Sequence, residues 1–126
     1  MSTYDDLKYY KEKLNIIFPH SEKKETLFEQ GFNRNLFKHY YSEEQINEIK
    51  QKLNFQPMRE LLVEYYIEHK FISSSASNRD LPLELKKLLE NENNLYFYNE
   101  EHCDYALLII DVDNNNLYNF YHTCRG

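Results

Sequence analysis

The chain has no tryptophan, only two glycines, three prolines and two cysteines in 126 residues. Two glycines leave no glycine-rich loop to cradle a phosphate. Two cysteines are too few for a disulfide-built scaffold. No apolar run approaches the roughly 18–20 residues that a membrane span requires, and the acidic start Met1-Ser-Thr-Tyr-Asp-Asp6 is unlike a secretory signal. These absences predict a cytoplasmic protein that does not contact a membrane. Cations are scarce in one half only. Residues 1–63 carry 10 basic and 10 acidic side chains, whereas residues 64–126 carry 5 and 11, so the whole net charge of −6 lies in the second half. An acidic half has too few Lys and Arg to hold phosphates, which argues against direct nucleic-acid binding. It suits a basic protein partner, whose approach it would accelerate.

Hydrophobic residues make up 41% of the chain, enough for a packed core, and 12 tyrosines dominate the aromatics. Tyr buries a large ring while keeping a hydroxyl for a partner, so the excess points to contact surfaces. The organising stretch is Leu95–Thr123. Its middle, Tyr105-Ala-Leu-Leu-Ile-Ile-Asp-Val112, is a short apolar run between polar turns, which reads as a strand buried on both faces. Leu95–Tyr98 and Leu117–Tyr121 alternate and carry aromatics, so the three form an antiparallel meander.

Upstream, helical patterns predominate. Thr3 and Asp6 approximate a capping box before Tyr4, Leu7, Tyr10, Leu14 and Ile17, and Phe18-Pro19 should end that helix. Ser21 with Glu22 and Glu25 starts a second helix that Gly31 closes, and a further helical piece is expected over Asn33–Tyr41. Ser42-Glu-Glu-Gln45 is a capping box leading Ile46, Ile49 and Leu53. Pro57 opens a helix through Met58, Leu61, Leu62, Tyr65, Tyr66 and His69, and Pro82 opens a short one on Leu85, Leu88 and Leu89. Residues 71–80, Ser-rich, read as a mobile loop within a single domain spanning 1–126. The expected class is α+β, with about five helices packed on a C-terminal three-stranded antiparallel meander.

Closing the last hairpin by pairing Asp113 with Asn116 sets Ile110 opposite Asn119 and Leu108 opposite Tyr121, and a similar closure sets Phe97 opposite Ala106. One face then carries Leu95, Phe97, Ala106, Leu108, Ile110, Val112, Leu117 and Tyr121, a core face. The other carries Tyr96, Tyr98, Tyr105, Leu107, Ile109, Tyr118, Phe120 and His122. If helices leave that second face open, its tyrosines form an aromatic binding surface rimmed by Glu100, Glu101, Asp104, Asp111 and Asp113.

The same register gathers His102, Cys103, His122 and Cys124 at one end of the sheet. These residue types can hold tetrahedral zinc, but their spacing matches no zinc pattern, so ordinary thiols and imidazoles are expected, with no metal and no cofactor. Cys103 between His102 and Asp104 superficially offers a nucleophile, a base and a carboxylate. Neighbours on a strand point to opposite faces, so they make poor triad partners, and no catalytic residue is assigned.

Small, acidic, Tyr-rich and motif-free, the chain resembles in composition bacterial immunity proteins and phage-encoded inhibitors. That resemblance implies a protein-binding inhibitor, foremost an immunity protein neutralising a basic nuclease-type toxin. Tyr96, Tyr98, Tyr105 and Tyr118 would then be the anchors. A phage-encoded inhibitor of a host defence complex would present the same surface. A small enzyme or metal-binding protein using the His102, Cys103, His122 and Cys124 end is the third reading.

Overall fold

A computed structural model describes residues 6–30, 34–58, 83–101 and 104–122. Its centre is a six-stranded antiparallel sheet in the order β1-β2-β6-β5-β4-β3. The strands are β1 (Lys23–Gln30), β2 (Arg34–Tyr40), β3 (Gln56–Pro57), β4 (Leu95–Glu101), β5 (Asp104–Asp111) and β6 (Asn116–His122). Three short helices accompany them among the described residues: α1 (Lys8–Leu14), α2 (Glu43–Lys52) and α3 (Leu83–Glu90). None is long and apolar enough to cross a membrane.

The fold is α+β, but the expected balance is wrong: among the described residues the sheet has six strands rather than three and outweighs the helices. The error lies between Ser21 and Tyr41, where two helices were expected and β1 and β2 form instead. Leu36 and Phe37 are both buried, and as strand neighbours they point to opposite faces. A strand covered on both sides loses its polar alternation, so its apolar pairs imitate a helical stripe. A bulge at Leu27, between the pairs Thr26↔Phe37 and Phe28↔Leu36, further blurs the period in β1.

Other expectations shift at their edges. The first helix is only Lys8–Leu14 and ends at Asn15, which takes the left-handed conformation (φ 57°) that Asn tolerates. Its N-cap is Leu7 without a side-chain cap; Thr3 lies outside the described residues. Pro57 sits in β3, paired with Leu95, instead of opening a helix. Residues 59–82, with most of that expected helix and the Ser-rich loop, also lie outside. The Ser42 box is present as read: Gln45 N–H donates to Ser42 Oγ (3.2 Å), and Ser42 N–H donates to Gln45 Oε1 (3.0 Å). Ser42→Ala should cost about 1 kcal/mol of stability, read as a lower urea midpoint at unchanged slope.

The meander forms, with each register displaced by two residues. Asp111, not Asp113, pairs with Asn116, so Ile110 faces Leu117 and Leu108 faces Asn119; in the other hairpin Phe97 faces Leu108. The wider turn is built by Asp111, whose carboxylate accepts from Asp113 N–H (3.2 Å) and Asn114 Nδ2 (2.9 Å), with Asn115 at φ 56°. A slip of two preserves the faces where a slip of one would exchange them.

Both faces are core. Ala106, Leu108, Ile110 and Leu117 pack with Tyr9 and Tyr10 of α1, Tyr41, and Ile46 and Ile49 of α2. On the other side Leu36, Tyr96, Leu107, Ile109, Tyr118 and Phe120 pack with Met58 and with Leu88 of α3. The surface that could have stood open is therefore covered in its middle.

Candidate functional site

The expected partner-binding residues do not form one patch. Tyr96 and Tyr118 are 8% and 2% exposed, so their rings belong to the core, and Tyr98 is half-buried against the same cluster. Glu101 pairs with Asp104 at one end of β5, next to the Glu100–Tyr105 pair, while Asp111 closes the other end. The two acidic groups are therefore roughly 23 Å apart along the strand. Asp113 is exposed on the β5–β6 turn, where its Oδ2 accepts from Asn91 Nδ2 (2.9 Å), and Asp111 is half-buried beside it. These acids line a cavity of about 630 Å³ together with Tyr40, Asn91, Asn114 and Lys87. Lys38, also on its wall, lies over the rings of Tyr40 and Tyr118 at 4.8 and 5.6 Å.

At the far end, His122 pairs with Tyr105 at the close of β6, and His102, Cys103 and Cys124 lie outside the described residues. Among the described residues no group of three or more His, Cys, Asp or Glu could hold a metal ion.

The most specific polar arrangement lies on the α1 side of the sheet. Asn119 is 0% exposed in the middle of β6, on the face that carries Leu108 and Leu117. A buried amide needs partners for its oxygen and both hydrogens. Tyr10 O–H donates to its Oδ1 (2.9 Å), and its Nδ2 donates to Asp6 Oδ2 (2.8 Å) and to the Asp6 carbonyl (3.1 Å). Asp6, 2% exposed, also accepts from His39 Nε2 (2.8 Å to Oδ2) and from Lys24 Nζ (3.3 Å to Oδ1). His39 is 4% exposed, stacks on Tyr41 (6.1 Å, 17°), and turns Nδ1 to Ser21 Oγ at 3.2 Å.

An ionised Asp6 carboxylate has no proton to donate, so the proton in its bond to His39 sits on Nε2, and in the neutral imidazole Nδ1 is then the acceptor. Burial pushes the Asp6 carboxyl up. The hydrogen bond and charge of His39, the Asn119 amide and the Lys24 ammonium outweigh it, and the net shift is below the ordinary value of 3.8.

Backbone ties hold Ser21 in place from both sides. Gln45 Nε2 donates to the His20 carbonyl (3.1 Å), Glu22 N–H donates to the Tyr40 carbonyl (2.9 Å), and Tyr41 O–H donates to the Pro19 carbonyl (3.0 Å). Ser21, His39 and Asp6 line a cavity of about 570 Å³ walled by Ile16, Ile17 and Phe18 and edged by lysines. Sequence reasoning missed all three residues, which are 18 and 33 positions apart in the contacts that join them. One signal was available: Asn119, a polar residue at a core-facing position of an aromatic strand, required a buried partner.

No protein-family model, curated protein or solved structure matches the chain.

Proposed function

We propose that the chain is a protein-binding inhibitor of a basic enzyme, foremost an immunity protein that neutralises a nuclease-type toxin. The observation that carries this reading is the charge: a net of −6, all of it in residues 64–126, with acids at both turns of the meander. Tyr96 and Tyr118 are buried, so on this reading the turns of the sheet, not its middle, would meet the partner. Asp111 and Asp113 border a concave site that also carries Lys38 and Lys87, so a Lys or Arg side chain of the partner would pair with the two carboxylates at its rim on the turn. Glu100, Glu101, Asp104 and Tyr105 would serve a second contact at the opposite turn, with Tyr98 between them.

Affinity capture from the native host's lysate, eluted in steps of rising salt, tests the reading. One stoichiometric basic enzyme, released by salt and inhibited by the purified chain, is expected. Against that partner the Asp111→Asn, Asp113→Asn double variant should associate about 10-fold more slowly and with a shallower salt dependence. Unchanged association and salt dependence in this variant would remove the Asp111 turn from the interface. A captured partner whose activity the chain leaves intact would overturn inhibition itself.

A further inference from the structure

We propose that Ser21, His39 and Asp6 form an acyl-transfer site, with Ser21 as nucleophile, His39 as its general base and Asp6 as the positioning carboxylate. The inference is independent of the inhibitor reading and concerns a different surface. Three observations converge on it. The hydrogen-bonded order serine–imidazole–carboxylate is that of a serine relay with the two ring nitrogens exchanged: Oγ to Nδ1 at 3.2 Å and Nε2 to carboxylate at 2.8 Å. The serine is the outermost member: Asp6 and His39 are buried while Ser21 is only half-buried, on the wall of an open cavity of about 570 Å³. Its backbone is tied on either side, through the His20 carbonyl and the Glu22 amide, so Oγ is held ready instead of searching rotamers with a loose loop.

Each group is suited to its role. Asp6, held to Asn119 and Lys24 as well as to His39, fixes the imidazole with its proton on Nε2 and leaves Nδ1 free to take the serine proton. Ser21 Oγ then attacks the acyl carbon of an ester while its proton passes to Nδ1. The carbon–oxygen bond to the alcohol breaks, and the departing oxygen takes that proton. Water attacks the acyl-serine, gives a proton to Nδ1, and the carbon–Oγ bond breaks as Oγ takes the proton back, releasing a carboxylic acid. The cavity defines the substrate class. Ile16, Ile17 and Phe18 supply an apolar wall, and Lys11, Lys23 and Lys24 outnumber Glu22 and Asp6 on the same lining, so a short ester bearing a single negative charge fits best.

The test uses the full chain with a fluorophosphonate probe and with two esters, 4-nitrophenyl acetate and the monoanionic 4-nitrophenyl succinate. The expected results are one covalent adduct mapped to Ser21 and hydrolysis that favours the anionic ester. Both should fall about 100-fold or more in Ser21→Ala, which removes only a half-buried hydroxyl. In Asp6→Asn an amide that keeps its oxygen at the Oδ2 position for Asn119 brings its nitrogen to the Oδ1 position, 3.1 Å from Nε2, where it would donate to the ring and move the ring proton onto Nδ1. Nitrogen NMR of His39 should report that tautomer change, with labelling reduced by about 10³-fold or more while the circular dichroism stays native. Absence of an adduct at Ser21, or equal hydrolysis by wild type and Ser21→Ala, would overturn the proposal. So would an Asp6→Asn protein that switches tautomer and is labelled at the wild-type rate.

Discussion

Leu107→Ala and Leu108→Ala should each lower the free energy of unfolding by about 2–5 kcal/mol, read from urea midpoints at an unchanged slope. The two residues are neighbours on β5 and point to opposite faces, and both are 0% exposed. Leu108 packs beneath α1 and α2, and Leu107 packs with Leu36, Phe120 and Leu88 of α3. Each substitution therefore removes buried methyl groups and leaves a cavity that close-packed neighbours only partly fill. The pair is more informative than either alone. Had the face with Tyr96, Tyr118 and Phe120 stood open to solvent, Leu107→Ala would have cost no more than about 0.5 kcal/mol while Leu108→Ala kept its full effect. A cost for Leu107 below about 1 kcal/mol, with Leu108 well above 2, would show that α3 and Met58 do not cover the sheet as described.

The faces of the meander were legible in the sequence because they depend only on parity. The true register differs from the simplest hairpin closure by two residues in both hairpins, yet Leu95, Phe97, Ala106, Leu108 and Ile110 still share one face. Turn length was not legible, because Asp113-Asn-Asn-Asn116 contains several residues that tolerate positive φ, and the wider turn is held by the Asp111 carboxylate and by bonds from Asn94 and Tyr41, distant in the chain. The helix start at Ser42 was legible, since a capping box is a local, self-contained hydrogen-bond pair. β1 and β2 were not. Among the described strands β1 pairs with β2 alone, and its bulge at Leu27 breaks the alternation; β2 is fixed by β6, far along the chain, and burial on both faces at Leu36 and Phe37 erased its period-two signal.

The same distinction separates the two sites. Acidic turns can be counted along the chain, so Asp111 and Asp113 could be named as candidates, but only the length of β5 shows that they lie far from Glu101 and Asp104. The Asp6 network joins one residue before α1, one at the end of β2 and one in mid-β6. Nothing local marks such a set. Asp6 in particular looked like half of a helix cap, when its carboxylate serves the sheet instead.

Asp6→Ala should cost about 3–5 kcal/mol at neutral pH, because it strips a buried carboxylate from His39, Asn119 and Lys24 and leaves their donors unmatched. Its pH dependence separates charge from shape. The folded Asp6 has a carboxyl value lowered from 3.8: burial opposes ionisation, but His39, Asn119 and Lys24 together favour it more. A group depressed on folding contributes stability that is present in full above its unfolded value and is lost as the pH falls through its folded value. The wild type should therefore lose stability between neutral pH and strong acid partly through this one carboxylate, and Asp6→Ala, which has nothing to protonate there, should lose less. Urea midpoints of the two proteins, measured from pH 7 downward, are expected to converge once the pH falls below about 3.8. A constant separation down to pH 2 would mean that Asp6 acts through packing alone, and that its bonds to His39 and Lys24 carry no net charge stabilisation. Convergence would show that the ionised carboxylate itself pins α1 to β2 and β6, and thereby fixes the ring of His39 against Ser21.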